Sequence, residues 1–206
     1  STVARGLGYL IGFVQADGGI YQPDSLYKNY ETCLALMCFA ETRDPKYRAF
    51  IERAQNFVKK NQWDLEEGHG LESTSYGGAG YGKHKRPDLS NTSYMVDALA
   101  TTGLDADDEA IQRALVFISR CQNLETQHNL LSFANKVGDG GFYYTCAAGG
   151  SSQAGALENG GLRSYGSMTY AGLKSMIYAG LDATDPRVKA AVSWISNNYD
   201  LDPNPG

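Results

Sequence analysis

The sequence predicts an all-α protein in which helix pairs repeat and form an inner and an outer layer. Two adjacent segments recur three times without gaps, and equivalent positions lie 60 and then 77 residues apart. One segment of each copy carries an apolar stripe with helical spacing, whereas the other is more uniformly apolar. Because one alignment serves both segments, the pattern is typical of a repeat protein whose units cover one another's apolar faces.

The striped segment of each copy predicts a half-buried outer helix. The three segments are AFIERAQNFVKKNQ (49–62), EAIQRALVFISRCQ (109–122) and PRVKAAVSWISNNY (186–199). The stripe of the first copy consists of Tyr47, Phe50, Ile51, Ala54, Phe57 and Val58. Spacings of three and four residues place these side chains on one face of a helix.

The other segment of each copy predicts an inner helix. The three segments are TCLALMCFA (32–40), TSYMVDALA (92–100) and TYAGLKSMI (169–177). The stretch CLALMCFA is apolar all round, which predicts burial on every side. A buried helix paired with a half-buried one predicts a double ring, with the buried helices inside.

Aspartates at the joints between paired helices predict helix caps. RDPK (43–46) and TDPR (184–187) place Asp before Pro, as at the start of many helices. LDADDEAI occupies the corresponding joint of the second copy, where Asp107 or Asp108 stands in place of Asp44 and Asp185. We therefore interpret the acidic run 105–108 as a solvent-facing cap that the helix dipole favours.

Glycine- and tyrosine-rich connectors lie between the pairs: SYGGAGYG (75–82), GDGGFYYTCAAGG (138–150) and ENGGLRSYGS (158–167). None has the spacing of a nucleotide-binding loop. We interpret them as turns with aromatic packing, and the functional alternative is a tyrosine-lined rim around a central cavity. Candidate ligand-binding residues at this rim and at the inner-helix entrances are Tyr76, Tyr81, Asn91, Tyr143, Tyr144, Tyr165 and Tyr170.

The amino-acid composition argues against a nucleic-acid partner and against a membrane-spanning helix. The net charge of −5 argues against a nucleic-acid surface, which needs clustered Lys and Arg. No apolar run approaches the roughly 18 residues of a membrane-spanning helix. Four cysteines without a C-x-x-C pair slightly favour a reducing, cytoplasmic compartment, with export as the alternative.

Several of these segments resemble the QW repeat. RAQNFVKKNQ (53–62) and RALVFISRCQ (113–122) contain a basic residue, a small residue, an aromatic–apolar pair and a final Gln. QADGGIY (15–21) continues as Gln-x-x-x-Gly-x-aromatic, and DGGFYY (139–144) is a further Gly–aromatic end. The chain is thus similar to squalene–hopene and oxidosqualene cyclases, to prenyltransferase/squalene-oxidase-repeat proteins of bacteria and, more loosely, to protein prenyltransferase β subunits. The resemblance implies an α/α toroid of inner and outer helices.

The resemblance also implies a ring with more helix pairs than this chain contains. We expect one toroid domain over residues 1–206, made of a half repeat at about 1–16 and repeats at about 29–62, 88–122 and 165–199. ARGLGYLIGFVQ resembles a second helix without its first, and LDPNPG resembles a linker. We therefore expect an incomplete ring that further repeats or self-association would close.

The acid of the related cyclases is D-x-D-D just before an inner helix, a place that PDLSNTS (87–93) occupies here. Asp88 matches the first Asp, but Ser90 and Asn91 replace the other two, and neither side chain can protonate an alkene. The candidate catalytic residues are therefore Asp88 and Glu31, which precedes a buried helix. For Glu31 we favour a partner of the first helical turn, where the helix dipole stabilises an acidic group, over an acid at the inner rim.

Neither a metal nor a cofactor is predicted. A prenyltransferase zinc site would need Asp, Cys and His, with Asp two residues before Cys, but Tyr144 stands two residues before Cys146. His69, His84 and His128 lack ligand spacing. A thioester stretch, Cys-Gly-Glu-Gln, is also absent from the sequence.

Three functional hypotheses follow. The first is a cyclase-like domain that binds an isoprenoid, another apolar small molecule or a partner in its central cavity, without a cyclase acid. The second is an isoprenoid-processing enzyme, a terpenoid cyclase-like isomerase or lyase or a prenyltransferase, completed by further repeats. The third is a carbohydrate-active toroid, which needs paired carboxylates converging on a groove.

Overall fold

The computed structural model describes residues 2–83 and 85–206. The described residues form eight α-helices and isolated β-bridges without strands, so the predicted all-α class is confirmed. The helices are α1 (Thr2–Ile11), α2 (Lys28–Ala40), α3 (Arg48–Lys60), α4 (Leu89–Thr101), α5 (Glu109–Arg120), α6 (Ala134–Val137), α7 (Gly166–Tyr178) and α8 (Pro186–Asn197). Short 3₁₀ turns span Pro45–Tyr47 and Leu65–Glu67.

The helices form the two predicted layers of an α/α toroid. In the inner layer α2 packs against α4, and α4 packs against α7. In the outer layer α3, α5 and α8 cover α2, α4 and α7 respectively. The outer helices α3 and α5 also contact the next inner helix, so each outer helix bridges two repeats.

The inner helices are less uniformly buried than the sequence predicts. α4 lies between two inner helices and is buried along nearly its whole length. α2 and α7 keep a solvent-facing line that includes Cys38 and Tyr170. The reason is that, among the described residues, α2 and α7 each have only α4 as an inner-layer neighbour.

A buried threonine at the same position of each repeat ties the inner helix to the preceding connector. Its hydroxyl oxygen accepts a hydrogen bond from a connector backbone N–H. The three pairs are Thr32 with Ile20, Thr92 with Ala79 and Thr169 with Phe142, at 3.0, 2.9 and 3.1 Å. Each threonine also donates to the carbonyl four residues earlier, so its hydrogen-bonding capacity is used inside the core.

A glycine with positive φ brings each connector against the backbone of the next outer helix. Gly18, Gly77 and Gly140 have φ of 94°, 80° and 80°. A Cβ atom added at these glycines would lie 2.7, 1.9 and 2.8 Å from carbonyl oxygens of the outer helices. Those oxygens belong to Arg53, Arg113 and Ala190, which occupy one position of the repeat. A glycine at this place is therefore part of the joint between repeats.

A buried glutamine links each of the two later connectors to the following outer helix. The Gln62 side-chain amide donates to the carbonyls of Gly77 and Ala110 at 2.9 and 2.8 Å. Gln122 donates in the same way to Gly140 and Arg187, at 2.9 Å each. Each glutamine thus donates to one carbonyl of the connector and to one carbonyl of the following outer helix.

The first repeat departs from the expected place of this glutamine by one residue. The Gln15 N–H donates to the Gly19 carbonyl at 2.8 Å, as the Trp63 N–H does to Gly78. Gln15 therefore stands where Trp63 stands, and Val14 occupies the position of Gln62. The Gln15 amide instead donates to carbonyls within its own connector.

The acidic run 105–108 contains the predicted cap. Asp108 is the N-cap of α5, and its carboxylate accepts from the Ala110 N–H at 2.9 Å. The same carboxylate lies 2.6 Å from Lys59 Nζ, whereas Asp105 and Asp107 are exposed. Asp185 caps α8 at the equivalent position, but Asp44 caps the 3₁₀ turn that precedes α3. The prediction is confirmed for Asp108, and Asp44 is not its equivalent.

Candidate functional site

The side of α2, α4 and α7 that faces away from the outer helices forms a shared surface, here called the inner face. Leu34, Tyr94 and Ala171 occupy the same position of the repeat, and all three are partly exposed. The equivalence follows from the alignment in which Thr32, Thr92 and Thr169 coincide. Two grooves border this face, one between α1 and α2 and the other between α4 and α7.

The first groove lies between α1 and α2 and is here called the apolar groove. It has a volume of about 330 Å³. Its apolar lining residues are Tyr9, Leu10, Phe13, Ile20, Tyr21, Leu34, Ala35 and Cys38. The polar residues of the lining, Gln22 and Glu31, come from the connector and from the first turn of α2.

Glu31 holds the connector that precedes α2. Its carboxylate accepts from the Gln22 N–H at 3.0 Å and from the Ser25 hydroxyl at 2.5 Å. Both partners lie in the connector, while Glu31 itself lies in the first turn of α2, the place that the favoured interpretation gives it. Its position in the lining of the apolar groove is the inner-rim position of the alternative interpretation.

The second groove lies between α4 and α7 and is here called the polar groove. It has a volume of about 460 Å³. Its lining residues are Ser90, Ser93, Tyr94, Asp97, Ser167, Met168, Tyr170, Ala171 and Lys174. Lys174 Nζ lies 2.5 Å from Asp97 Oδ2, and the Asp97 side chain is only 9% exposed. Burial raises the pKa of Asp97 above 3.8, and the Lys174 ammonium opposes that shift.

Tyrosine rings bridge the helices along the inner face. Tyr30 of α2 meets Tyr94 of α4 edge to face, with ring centroids 5.0 Å apart. Tyr81 contacts Tyr30 and Tyr27 at centroid distances of 6.1 and 5.0 Å. Such rings present apolar faces, and the hydroxyls of Tyr30 and Tyr94 interact with each other.

Asp88 is a buried helix cap at the entrance of α4. Its carboxylate accepts from the Asn91 N–H at 2.8 Å and from the Asn91 amide at 2.9 and 3.1 Å. Burial raises the pKa of Asp88 above 3.8, although hydrogen bonds from Asn91 and Tyr144 oppose the shift. The structure thus places Asp88 and Asn91 together, with both carboxylate oxygens occupied by Asn91.

The raised pKa of Asp88 predicts a specific pH dependence of stability. Between 3.8 and its folded-state pKa, the folded state holds a proton that the unfolded state has lost. Stability from this group is therefore present at low pH and is lost as the pH rises through that interval. Asp88→Asn should remove this dependence while keeping the cap, because Asn is a good N-cap residue.

Urea unfolding of the wild type and of Asp88→Asn, at several pH values from 3.5 upward, checks the predicted direction of this pH dependence. The wild-type free energy of unfolding minus that of the variant should fall as the pH rises. A difference that stays constant or increases with pH would contradict the assignment of burial as the dominant cause.

The predicted tyrosines occupy three kinds of environment. Tyr143 and Tyr165 lie in the core, and the Tyr143 hydroxyl donates to the Arg120 carbonyl at 2.5 Å. Tyr144 is partly buried between Asp88 and the Arg86 guanidinium, and burial raises its pKa. Tyr76 and Tyr81 are partly buried in their connector. Tyr170 is 45% exposed and lines the polar groove.

Four residues of the inner face were not predicted from the sequence: Tyr30, Tyr94, Asp97 and Lys174. A signal for the last two exists in the alignment. Asp97 and Lys174 occupy the same position of successive inner helices, where the first copy has Met37. Opposite charges at one position of otherwise apolar neighbouring helices indicate a contact between them.

The predicted absence of metal ligands concerns three histidines. His69 Nδ1 lies 2.8 Å from the Ser73 hydroxyl, and His128 is exposed, while His84 lies outside the described residues. Across residues 2–83 and 85–206, no group of three His, Cys, Asp or Glu side chains is placed to hold a metal ion. Over the same ranges, no helix has the length and apolar character needed to cross a bilayer.

Comparison with known proteins agrees with the all-α toroid architecture. A family model described as the squalene-hopene cyclase C-terminal domain matches residues 1–145. The matched region runs from α1 through α6 and includes Asp88, Asn91 and the apolar groove. No curated protein is significantly similar to the chain. The chain belongs to the squalene-hopene cyclase C-terminal domain family, within the α/α-toroid superfamily of terpenoid cyclases and prenyltransferases.

Proposed function

We propose that the inner face binds an apolar small molecule of the isoprenoid class, without acid-initiated cyclisation by residues 1–206. The observation that carries this proposal is the apolar groove between α1 and α2. A concave site with a mostly apolar lining and a few polar groups is typical of small-molecule binding.

Comparison of equivalent positions in the repeats shows that the apolar groove is more exposed to solvent than the corresponding places of the other repeats. Tyr9 of α1 is 68% exposed, whereas Phe57 and Phe117 at the equivalent positions of α3 and α5 are 7% and 0% exposed. In those repeats the connector covers the position, since Gly19 and Tyr21 pack against Phe57 and Gly78 packs against Phe117. At α1 the equivalent space is a groove, and covering its aromatic and aliphatic surface would contribute about 25 cal/mol per Å².

Two features of α4 support binding rather than catalysis by a cyclase acid or a glycosidase pair. Asp88 is buried and engaged with Asn91, and Ser90 and Asn91 stand at the next positions of the acid motif. Asp97 is a single carboxylate paired with a lysine, which does not match the carboxylate pair of a glycosidase. An enzyme completed by acid-bearing repeats outside this segment is the alternative, and it would use the same inner face.

The proposal is tested with β-farnesene, a C15 isoprenoid hydrocarbon, as the ligand. Its affinity is measured by displacement of a fluorescent apolar probe from the wild type, Leu34→Arg and Leu130→Arg. Leu34 lines the apolar groove, so a charged side chain there should weaken binding at least about tenfold, because the ligand would have to desolvate it.

Leu130→Arg is the matched control, because Leu130 is 78% exposed and does not line either groove. Its affinity should stay within about twofold of wild type, and thermal unfolding should show that both variants are folded. Equal loss of affinity in the two variants, or no wild-type binding, would overturn the proposal.

A further inference from the structure

We propose that the polar groove recognises a neutral hydroxyl group on the apolar ligand, through the Lys174 ammonium and the Asp97 carboxylate. This inference rests on the proposed function and names the chemical class of its ligand as an isoprenoid-like alcohol. The hydrocarbon part would lie along the inner face, and the hydroxyl would reach the space between α4 and α7.

The charge of the groove selects a neutral group. Among the described lining residues, only Asp97 and Lys174 carry a formal charge, and they pair with each other at 2.5 Å. A diphosphate would need several cationic side chains, and it would be repelled by the adjacent carboxylate. An ammonium ligand would compete with Lys174 for the same carboxylate. A neutral polar group avoids both conflicts.

The hydrogen-bonding capacity of the pair fits a group that both donates and accepts. A lysine ammonium has three N–H donors, and Lys174 directs one of them to Asp97 Oδ2. Asp97 Oδ1 is buried and has no hydrogen-bond partner among the described residues. A hydroxyl oxygen can accept from Lys174 while its O–H donates to the carboxylate, whereas a carbonyl can only accept.

The position of the pair in the repeat supports a role beyond helix packing. Met37 occupies the same position of α2, so an apolar residue is compatible with the inner-helix register. An ion pair with one buried member seldom stabilises a fold more than well-packed apolar residues would. Lys174 is also half-exposed towards the groove, where Tyr94, Met168 and Ala171 supply apolar contacts beside the charge.

The test compares farnesol with β-farnesene, two C15 probes that differ in the presence of a hydroxyl. The wild type should bind farnesol at least about tenfold more tightly, because a site built for a hydroxyl rejects an analogue that lacks it. Farnesyl diphosphate should bind more weakly than farnesol. In Lys174→Met the preference for farnesol should fall to about twofold or less, with β-farnesene affinity little changed.

Lys174→Met leaves Asp97 without its partner, which could impair folding, so the double variant Asp97→Asn/Lys174→Met is tested as well. Lys189→Met is the matched control, because Lys189 is exposed on α8 and lies outside the groove lining. A pair that only clamps helices would lower thermal stability in the double variant without altering the farnesol preference. That result, tighter binding of farnesyl diphosphate, or equal wild-type affinity for farnesol and β-farnesene would overturn the inference and leave the proposed function standing. Binding of none of these probes would overturn the proposed function itself.

Discussion

Replacing Gly77 with alanine is expected to destabilise the domain by about 2–5 kcal/mol, since left-handed backbone costs about 1–2 kcal/mol and overpacking about 1–3 kcal/mol. Gly77 has a φ of 80°, and an added Cβ would lie 1.9 Å from the Arg113 carbonyl oxygen. The connector would have to move away from α5. That movement would break the 2.7 Å bond from the Gly77 N–H to the Trp63 carbonyl and the bond from Gln62.

Gly68→Ala is a matched control that measures the cost of left-handed backbone alone, without a close contact to another helix. Gly68 has a φ of 78°, but no heavy atom lies within 4 Å of an added Cβ. This variant should lose only about 1–2 kcal/mol, the strain of a left-handed alanine. Urea unfolding of both variants gives the comparison, and similar losses at the two sites would show that the close contact with α5 does not control stability.

Replacing Gln122 with alanine is expected to lower the free energy of unfolding by about 2–4 kcal/mol, because two buried carbonyls each lose a hydrogen bond. Those carbonyls belong to Gly140 in the connector and Arg187 at the start of α8. Both carbonyls and the side chain that joins them lie in the interior, and Gln122 itself is 1% exposed. The loss should therefore loosen the contact between the connector and α8.

Gln127→Ala is the control for this substitution, since Gln127 is exposed in the same connector. It should change the free energy of unfolding by no more than about 0.5 kcal/mol. Amide hydrogen exchange adds a local readout, because Gln122→Ala should speed exchange at Gly140 and in the first turn of α8. Unchanged exchange at these amides would be inconsistent with a linking role for Gln122.

The repeat alignment predicted which residues occupy equivalent positions in the three helix pairs. The three threonines at one position of the alignment make equivalent hydrogen bonds, and Asp108 caps α5. The cap follows from local sequence because capping chemistry acts over a few residues. For the threonines the alignment gives only the shared position, since their bonds to the connectors span 12 to 27 residues. The layered arrangement followed from the contrast between striped and uniformly apolar helices.

Burial on the inner face was less predictable because it depends on the number of neighbouring repeats. CLALMCFA is apolar all round, yet Cys38 is exposed in the absence of a second inner-layer neighbour among the described residues. The one-residue shift at Gln15 was also hidden, because only the backbone hydrogen bond to Gly19 reveals the pairing.

The candidate site was predicted in part. Asp88 and Asn91 do lie together at an inner-helix entrance, and Tyr170 does line a groove. Tyr143 is fully buried because its connector folds into the core, which its polar hydroxyl and flanking glycines did not indicate. Asp97 and Lys174 were missed because their significance depends on the side-by-side contact of α4 with α7.

Photo-crosslinking tests most directly the claim that the inner face binds an apolar isoprenoid. A diazirine-bearing analogue of farnesol is irradiated with the protein, and the labelled peptides are identified by mass spectrometry. We expect label on the inner-face segments around Leu34, Tyr94 and Tyr170, and excess unlabelled farnesol should suppress this labelling. Label confined to outer-helix residues such as Val192, or insensitive to the competitor, would contradict it.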